Sequence, residues 1–244
     1  MSLKKIFLKN KFTYKIYLYY NLFIRHKCFL DRKQYSQWGE DQFIDSFFNN
    51  KNNGIYLDIG CFHPYMYSNT CLLHKRGWSG VNVDINQTSI DLFNIIRPND
   101  TNICAAVSKE KKDLKVYFDD PFSPINTVDK KFYENLEKSF FKNKKIFTIQ
   151  SKTIQEIFDI GKIKGEIDFV NIDAEGLDFE ILLQMNLSKY KVKLLSIETH
   201  NVDGSKTENF ESIKNLLEKN GYLIFKRVGP TTLFNLNEYN STDK

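Results

Sequence analysis

Long apolar runs are missing from these 244 residues: no stretch approaches 18 uninterrupted apolar residues, so no membrane-spanning helix is expected. Proline is scarce at 5 and glycine at 11, while 15% of residues are aromatic. That balance excludes collagen-like, linker-rich and disordered chains, which lack the apolar surface needed to offset ordering entropy. Only four cysteines occur, Cys28, Cys61, Cys71 and Cys104, without a C-x-x-C pair, so neither a structural zinc site nor a disulfide framework is expected. The opening MSLKK leads into alternating basic and aromatic residues, with no signal-peptide core and no small-residue cleavage site. These features point to a reducing cytoplasm.

What is present is ordinary globular composition, enough for one sizeable core with appendages. The net charge of +5 is unevenly placed. Residues 1–33 carry nine Lys or Arg and one acid, Asp31, giving +8, which leaves 26 basic and 29 acidic residues, or −3, in the rest. This basic aromatic extension is expected either to pack on the domain or a neighbouring subunit as a partly helical arm, or to lie peripherally on an anionic membrane at its inner face or on a partner. Nucleic acid binding is not expected, because the folded part is slightly acidic. The remainder, residues 34–244, is read as one domain, with the oligomeric state left open.

From residue 36 the pattern becomes regular. Ser36 is read as the cap of a helix with Glu40 and Asp41 in its first turn and Phe43, Ile44, Phe47 and Phe48 as its buried stripe. Strands are expected at Ile55–Ile59, Val81–Asp84, Asn102–Val107, Asp168–Asp173 and Leu194–Thr199. Helical stripes lie between them. Ser68 is expected to cap a helix stopped by Gly77, and Ile90, Leu92, Phe93 and Ile96 form a stripe stopped at Arg97-Pro98. Another stripe holds Leu177, Ile181, Leu182 and Met185. Ser205-x-x-Glu208 is read as a capping box before a helix stopped by Gly221, and Tyr222–Arg227 with Thr232–Leu236 as a terminal hairpin. Residues 110–165 break the rhythm, with strands at Leu114–Phe118 and Ile146–Gln150, a polar helix over 129–141 and a capping box Thr153-x-x-Glu156. They are read as an insertion at the edge of the site, in the position of a substrate lid. The alternation predicts an α/β, doubly wound, mostly parallel sheet with right-handed crossovers and an antiparallel hairpin at its edge.

Ligands of such sheets sit past the carboxyl ends of the strands. The residues there are Asp58, Gly60 and His63, then Asp84 and Asn86, then Ala105 to Ser108, then Asp173 and Glu175, then Glu198 and His200. A carboxylate closing the second strand, Asp84, suits the two hydroxyls of an adenosine ribose. The first loop, Gly60-Cys61-Phe62-His63-Pro64, lacks the further glycines that let a pyrophosphate approach the backbone, so a ligand without phosphate is favoured.

Four ordered runs, SQWGEDQF (36–43), GIYLDIGCFHPYMYSNTCLLHKRGWSGVNVD (54–84), ICAAVS (103–108) and DFVNIDAEGLDFEIL (168–182), resemble the FkbM family of S-adenosylmethionine-dependent methyltransferases over roughly residues 34–227. The resemblance implies a class I methyltransferase (Rossmann-like) sheet, S-adenosyl-L-methionine as cofactor, and methyl transfer, commonly to a sugar or related hydroxyl. It places Asp58 and Gly60 under the methionine part, Asp84 on the ribose, and Ala106 and Val107 beside the adenine. Gln37 and Glu40 approach from the preceding helix, and Ser68 and Asn69 begin a helix facing the cofactor carboxylate. His-Pro in place of a glycine-rich first loop departs from many methyltransferases and leaves the contacts to the methionine part open.

A sugar hydroxyl is a poor nucleophile near neutral pH, so a base or a metal is expected. His200 is the first candidate base, with Asp173 or Glu175 second, and His63 is placed to touch cofactor or acceptor. Asp173, Glu198 and His200 also make a donor set suited to Mg²⁺ or Mn²⁺. Three classes stand side by side. The first is an O-methyltransferase acting on a saccharide acceptor, either a nucleotide-linked sugar or a surface polysaccharide unit. The second is a noncatalytic scaffold keeping the fold, and the third a nicotinamide-dependent oxidoreductase, which the missing glycines oppose.

Overall fold

The computed structural model describes residues 10–135 and 145–239. An N-terminal helix α1 (Lys11–Tyr20), capped by the Asn10 side chain, continues through a π-turn at Asn21–Arg25. It packs Leu18 and Leu22 on Leu92, and the Tyr14 hydroxyl donates to Asp91 Oδ2 at 2.7 Å. The described part of the extension therefore packs on the domain.

Helix α2 (Glu40–Phe47) precedes β1 (Ile55–Ile59), followed by α3 (Cys71–Lys75), β2 (Ser79–Asp84), α4 (Gln87–Ile96) and β3 (Thr101–Cys104). Then come β4 (Ala106–Val107), β5 (Asp113–Phe118), α5 (Lys130–Asn135), β6 (Lys145–Lys152), α6 (Ile154–Ile160) and β7 (Ile167–Ile172). The chain ends with α7 (Asp178–Gln184), β8 (Val192–Glu198), α8 (Phe210–Lys219), β9 (Tyr222–Val228) and β10 (Thr231–Leu236). The seven-stranded sheet runs β3-β2-β1-β7-β8-β10-β9, with β3 through β8 parallel and β10 antiparallel to both its neighbours. This is the expected doubly wound, Rossmann-like α/β sheet. Strand order reverses between β1 and β7, which opens the crevice for a ligand.

All six residues of β7 are buried, as a central strand covered on both faces requires. Its core cluster joins Leu57, Val81, Val170, Leu195 and Ile197 to Ile157 and Phe158 of α6. Helix α6 is thus a crossover of the main core, so the insertion ends at residue 152, short of 165. It contributes β5 and β6 to a second sheet, β4-β6-β5. The expected single strand at 102–107 divides at Ala105, whose N–H donates to Asp84 O, and β4 leaves the main sheet for β6. The polar helix is described over Lys130–Asn135, and the rest of the 129–141 expectation lies outside the described residues.

Several caps differ from expectation. Gly39, at φ 96°, precedes α2, while Ser36 Oγ accepts from the N–H groups of Gly39 and Asp41 one turn earlier. Of the α2 stripe, Ile44 is fully buried and Phe43 is exposed. Helix α3 starts at Cys71 after Thr70, and Ser68 accepts from Arg97. Ser205 donates to Asp203 and Glu208 pairs with Lys131, so the second capping box does not form. The Thr153–Glu156 box forms in full.

Candidate functional site

The ends of β1, β2, β3 and β7 converge on one pocket, with β8 and the turn into β10 on its far side. Gly60, at φ 79°, lets the chain turn directly beneath the next strand. A Cβ there would lie 1.6 Å from Asp173 O, so no other residue fits. Gly60 and Cys61 both donate to Val83 O, and Asp173 N–H donates to Ile59 O, which locks the strand ends together. Apolar wall comes from Ile59, Val83, Ala105, Ala106, Val107 and Ile181.

The polar lining is one-sided. Glu40, Asp84, Asp173, Glu175 and Glu198 all face the pocket, and no Lys, Arg or His among the described residues does. Asp84 accepts from Phe62 N–H at 2.8 Å and Asn86 N–H at 2.7 Å, one on each oxygen, and burial raises its pKa to about 6. Burial first, then the charges of Asp178, Glu175 and Glu40, raises Glu198 to about 8. Burial and Glu198 hold Asp173 well above the carboxylate range, and burial and Asp173 do the same for Glu175. Like charges crowded among buried groups disfavour simultaneous ionisation, so the lining favours a cationic ligand. Glu40 accepts from Trp38 N–H at 2.9 Å and Thr231 Oγ1 at 3.3 Å, tying α2 to β10.

Of the sequence-predicted residues, Gln37, Glu40, Gly60, Asn69, Asp84, Asn86, Ala106, Val107, Asp173, Glu175 and Glu198 line this pocket. Asn86 is also the N-cap of α4 and donates to Pro121 O. Asp58 does not reach the pocket. It is buried, accepting from Thr70 Oγ1 at 2.7 Å and Asn171 Nδ2 at 3.0 Å, and Asn171 Oδ1 in turn takes a bond from Asn69. Asp58 therefore positions Asn69 from beneath. Ser68 is buried under the loop, and its helix has only five residues. His63 is buried with Nδ1 accepting from Tyr65 and Met66 N–H, and burial lowers its pKa to about 3. It holds its own loop and does not line the pocket.

His200 is the main correction. The N–H groups of Thr199 and His200 both donate to Pro230 O, which breaks strand alternation just past β8. Its Nδ1 lies 2.8 Å from Thr199 Oγ1 and its ring packs on Phe210, away from the pocket. His200 therefore does not join Asp173 and Glu198 at the pocket, and among the described residues no group of three or more His, Cys, Asp or Glu is arranged to hold a metal.

Sequence reasoning missed Trp38, Phe62 and Tyr67 on the pocket wall, and Arg97 behind it. Phe62 and Tyr67 have φ of 52° and 56°, a strained geometry for aromatic residues, and stack at 6.1 Å. Arg97 is fully buried, donating to Tyr56 Oη, Thr70 Oγ1, Pro64 O and Ser68 Oγ, and so clamps the 61–70 loop from behind.

Residues 50–224 match the family model for the methyltransferase FkbM domain. No curated protein matches the chain. Among solved structures, that of the 16S rRNA methylase ArmA aligns with a TM-score of 0.37 and 12% identity, covering 96% of this chain and 89% of that one.

Proposed function

Because the chain belongs to the FkbM methyltransferase domain family, and so to the S-adenosylmethionine-dependent methyltransferases, we propose that its acidic pocket binds that cofactor and that it methylates a hydroxyl of a saccharide. The observation that carries the cofactor reading is a pocket at the switch point lined by five carboxylates and, among the described residues, no basic side chain. A ligand with a sulfonium and an ammonium group fits that lining, whereas a dinucleotide pyrophosphate would meet only like charge. When bound, the cofactor supplies an activated methyl group.

The residues then divide the remaining work. Asp84, already oriented by two backbone N–H groups, has lone pairs left for the ribose hydroxyls. Ala106, Val107 and Val83 offer an apolar slot for the adenine. Glu40 and Asp173 lie where the cationic part would sit, and a bound cation would favour the ionised form of Asp173, which burial and Glu198 otherwise disfavour. A Glu198 carboxylate oxygen takes the acceptor proton, because a carboxyl raised to about 8 is a stronger base than an ordinary glutamate and close to working pH. Asp173 and Glu175 are the alternatives to it. Hydroxyl-rich acceptors suit this lining, since carboxylates accept from vicinal hydroxyls and the exposed faces of Trp38 and Tyr67 offer platforms for a sugar ring.

Calorimetric titration with S-adenosylmethionine, S-adenosylhomocysteine and NAD tests the cofactor reading. The first two are expected to bind and NAD to fail; binding of NAD alone overturns it. A panel of nucleotide sugars and glycosides, with the methyl position read by NMR, tests the acceptor. Transfer to nitrogen, or no transfer to any saccharide, overturns the O-methylation reading. Repeating the panel with Mg²⁺, Mn²⁺ and a chelator reads metal dependence.

A further inference from the structure

Beside the acidic pocket lies a second hollow of opposite character. Its wall includes Phe29, Arg32, Lys33 and Gln34, and it shares Gln37 and Tyr67 with the acidic pocket. Among the described residues no acidic side chain lines it, and neither Arg32 nor Lys33 joins an ion pair. Arg32 is held in place all the same. Its Nε donates to Cys28 O at 2.7 Å and its guanidinium lies over the Phe29 ring at 4.1 Å, an arrangement that leaves the Nη fork for an incoming oxyanion. The two hollows are joined by an aromatic wall, since Tyr67 stacks on Phe62 at 6.1 Å on one side and meets Phe29 edge-on at 6.3 Å on the other.

We propose that this Arg32–Lys33 hollow is the subsite for a phosphate group carried by the methyl acceptor, so that the substrate is a phosphorylated saccharide rather than a neutral glycan. The assignment rests on the methyltransferase reading of the acidic pocket. A phosphate cannot share a pocket with five carboxylates, and the adjoining hollow supplies the cations it needs within one continuous aromatic-walled groove. The sugar ring then lies along Tyr67, with its reacting hydroxyl toward Glu198 and its phosphate toward Arg32. Placement of opposite charges at the two ends of the groove fixes the direction in which the acceptor enters.

Pyrophosphate is the probe, with glucuronate as a carboxylate comparison, titrated into the wild-type chain and the Arg32→Gln, Lys33→Gln variant. Both positions are exposed, so the variant keeps its fold, which thermal unfolding confirms. Pyrophosphate is expected to bind the wild type at millimolar concentration or below and the variant about tenfold or more weaker, while S-adenosylmethionine affinity stays unchanged. Equal pyrophosphate affinity in the two proteins overturns the subsite, as does wild-type binding of glucuronate without pyrophosphate. If S-adenosylmethionine binds the wild type and pyrophosphate does not, only the subsite falls. If S-adenosylmethionine itself fails to bind, the reading of the acidic pocket falls first and takes the acceptor assignment with it.

Discussion

Asp84 is fixed before any ligand arrives, because Phe62 and Asn86 N–H groups each hold one of its oxygens. Asp84→Asn preserves the shape but removes the charge and one acceptor, so S-adenosylmethionine should bind about ten- to a hundredfold more weakly while the fold survives. Calorimetry checks this, and unchanged affinity would refute the ribose assignment. Glu198 makes a prediction about pH. Its pKa rises from the ordinary 4.5 of a glutamate to about 8 in the fold, so between those values the folded state holds more proton than the unfolded one. Stability is then greatest below about pH 4.5 as far as this group is concerned, and its contribution is lost as pH rises through about 8. Glu198→Gln should therefore flatten the fall in Tm between pH 5 and 8 in the cofactor-free protein. Each kcal/mol recovered reads as roughly 2–4 °C. Parallel Tm curves for the two proteins would show that Glu198 keeps an ordinary pKa.

The loop between β1 and α3 is the element that shapes the pocket, and its support comes from a residue outside it. Arg97, just past α4, makes four hydrogen bonds into that loop and to Tyr56, all in the interior. Arg97→Met takes the buried donor from Pro64 O and from three hydroxyls and strips Asp58 of a nearby cation, so a loss of about 3–5 kcal/mol is expected. Thermal unfolding should drop by roughly 10 °C. A shift within a degree or two would mean the loop holds itself, and Arg97→Lys should recover part of any loss. The elements most legible from the residues were short apolar strands bounded by glycine, such as Ile55–Ile59, because burial on both faces leaves little choice of state. The acidic residues ending β2, β7 and β8 followed from topology alone. Less legible was anything decided by a distant partner. Ser205-x-x-Glu208 has the right spacing for a cap, yet Glu208 goes to Lys131, 77 residues away. His200 follows Glu198 by two, so simple alternation would aim both at the pocket, and the shared Pro230 carbonyl that turns it aside has no local sequence signal. The Phe62–Tyr67 wall likewise depends on two left-handed aromatic residues that no propensity favours.

At the scale of the whole molecule, charge is sorted into regions: an acidic pocket, a basic hollow beside it, and a basic arm beyond. Helix α1 turns Leu18 and Leu22 inward, which leaves Phe12, Ile16, Tyr19, Tyr20, Phe23 and Ile24 exposed, Phe12 at 72% and Ile24 at 60%. Exposed apolar side chains along this segment, with Lys11, Lys15 and Lys27 exposed among them, match an interface with both an apolar layer and negative charge. None of the described helices is long and apolar enough to cross a membrane, so the arm is proposed to lie on an anionic bilayer, where each Lys or Arg near the surface contributes about 1 kcal/mol. The full chain should co-sediment with phosphatidylglycerol vesicles and not with phosphatidylcholine vesicles, and added salt should release it. Substituting Phe12, Ile16 and Ile24 by Asp should abolish sedimentation without lowering Tm, because these side chains are exposed while Leu18, Leu22 and Tyr14 carry the packing on α4. Equal recovery with neutral vesicles, or sedimentation that survives the triple substitution, would show that the aromatic face serves some other contact. Binding to anionic vesicles would bring the Arg32–Lys33 hollow, at the end of the same arm, to a negatively charged surface, where salt would weaken both its hold on pyrophosphate and the attachment of the arm.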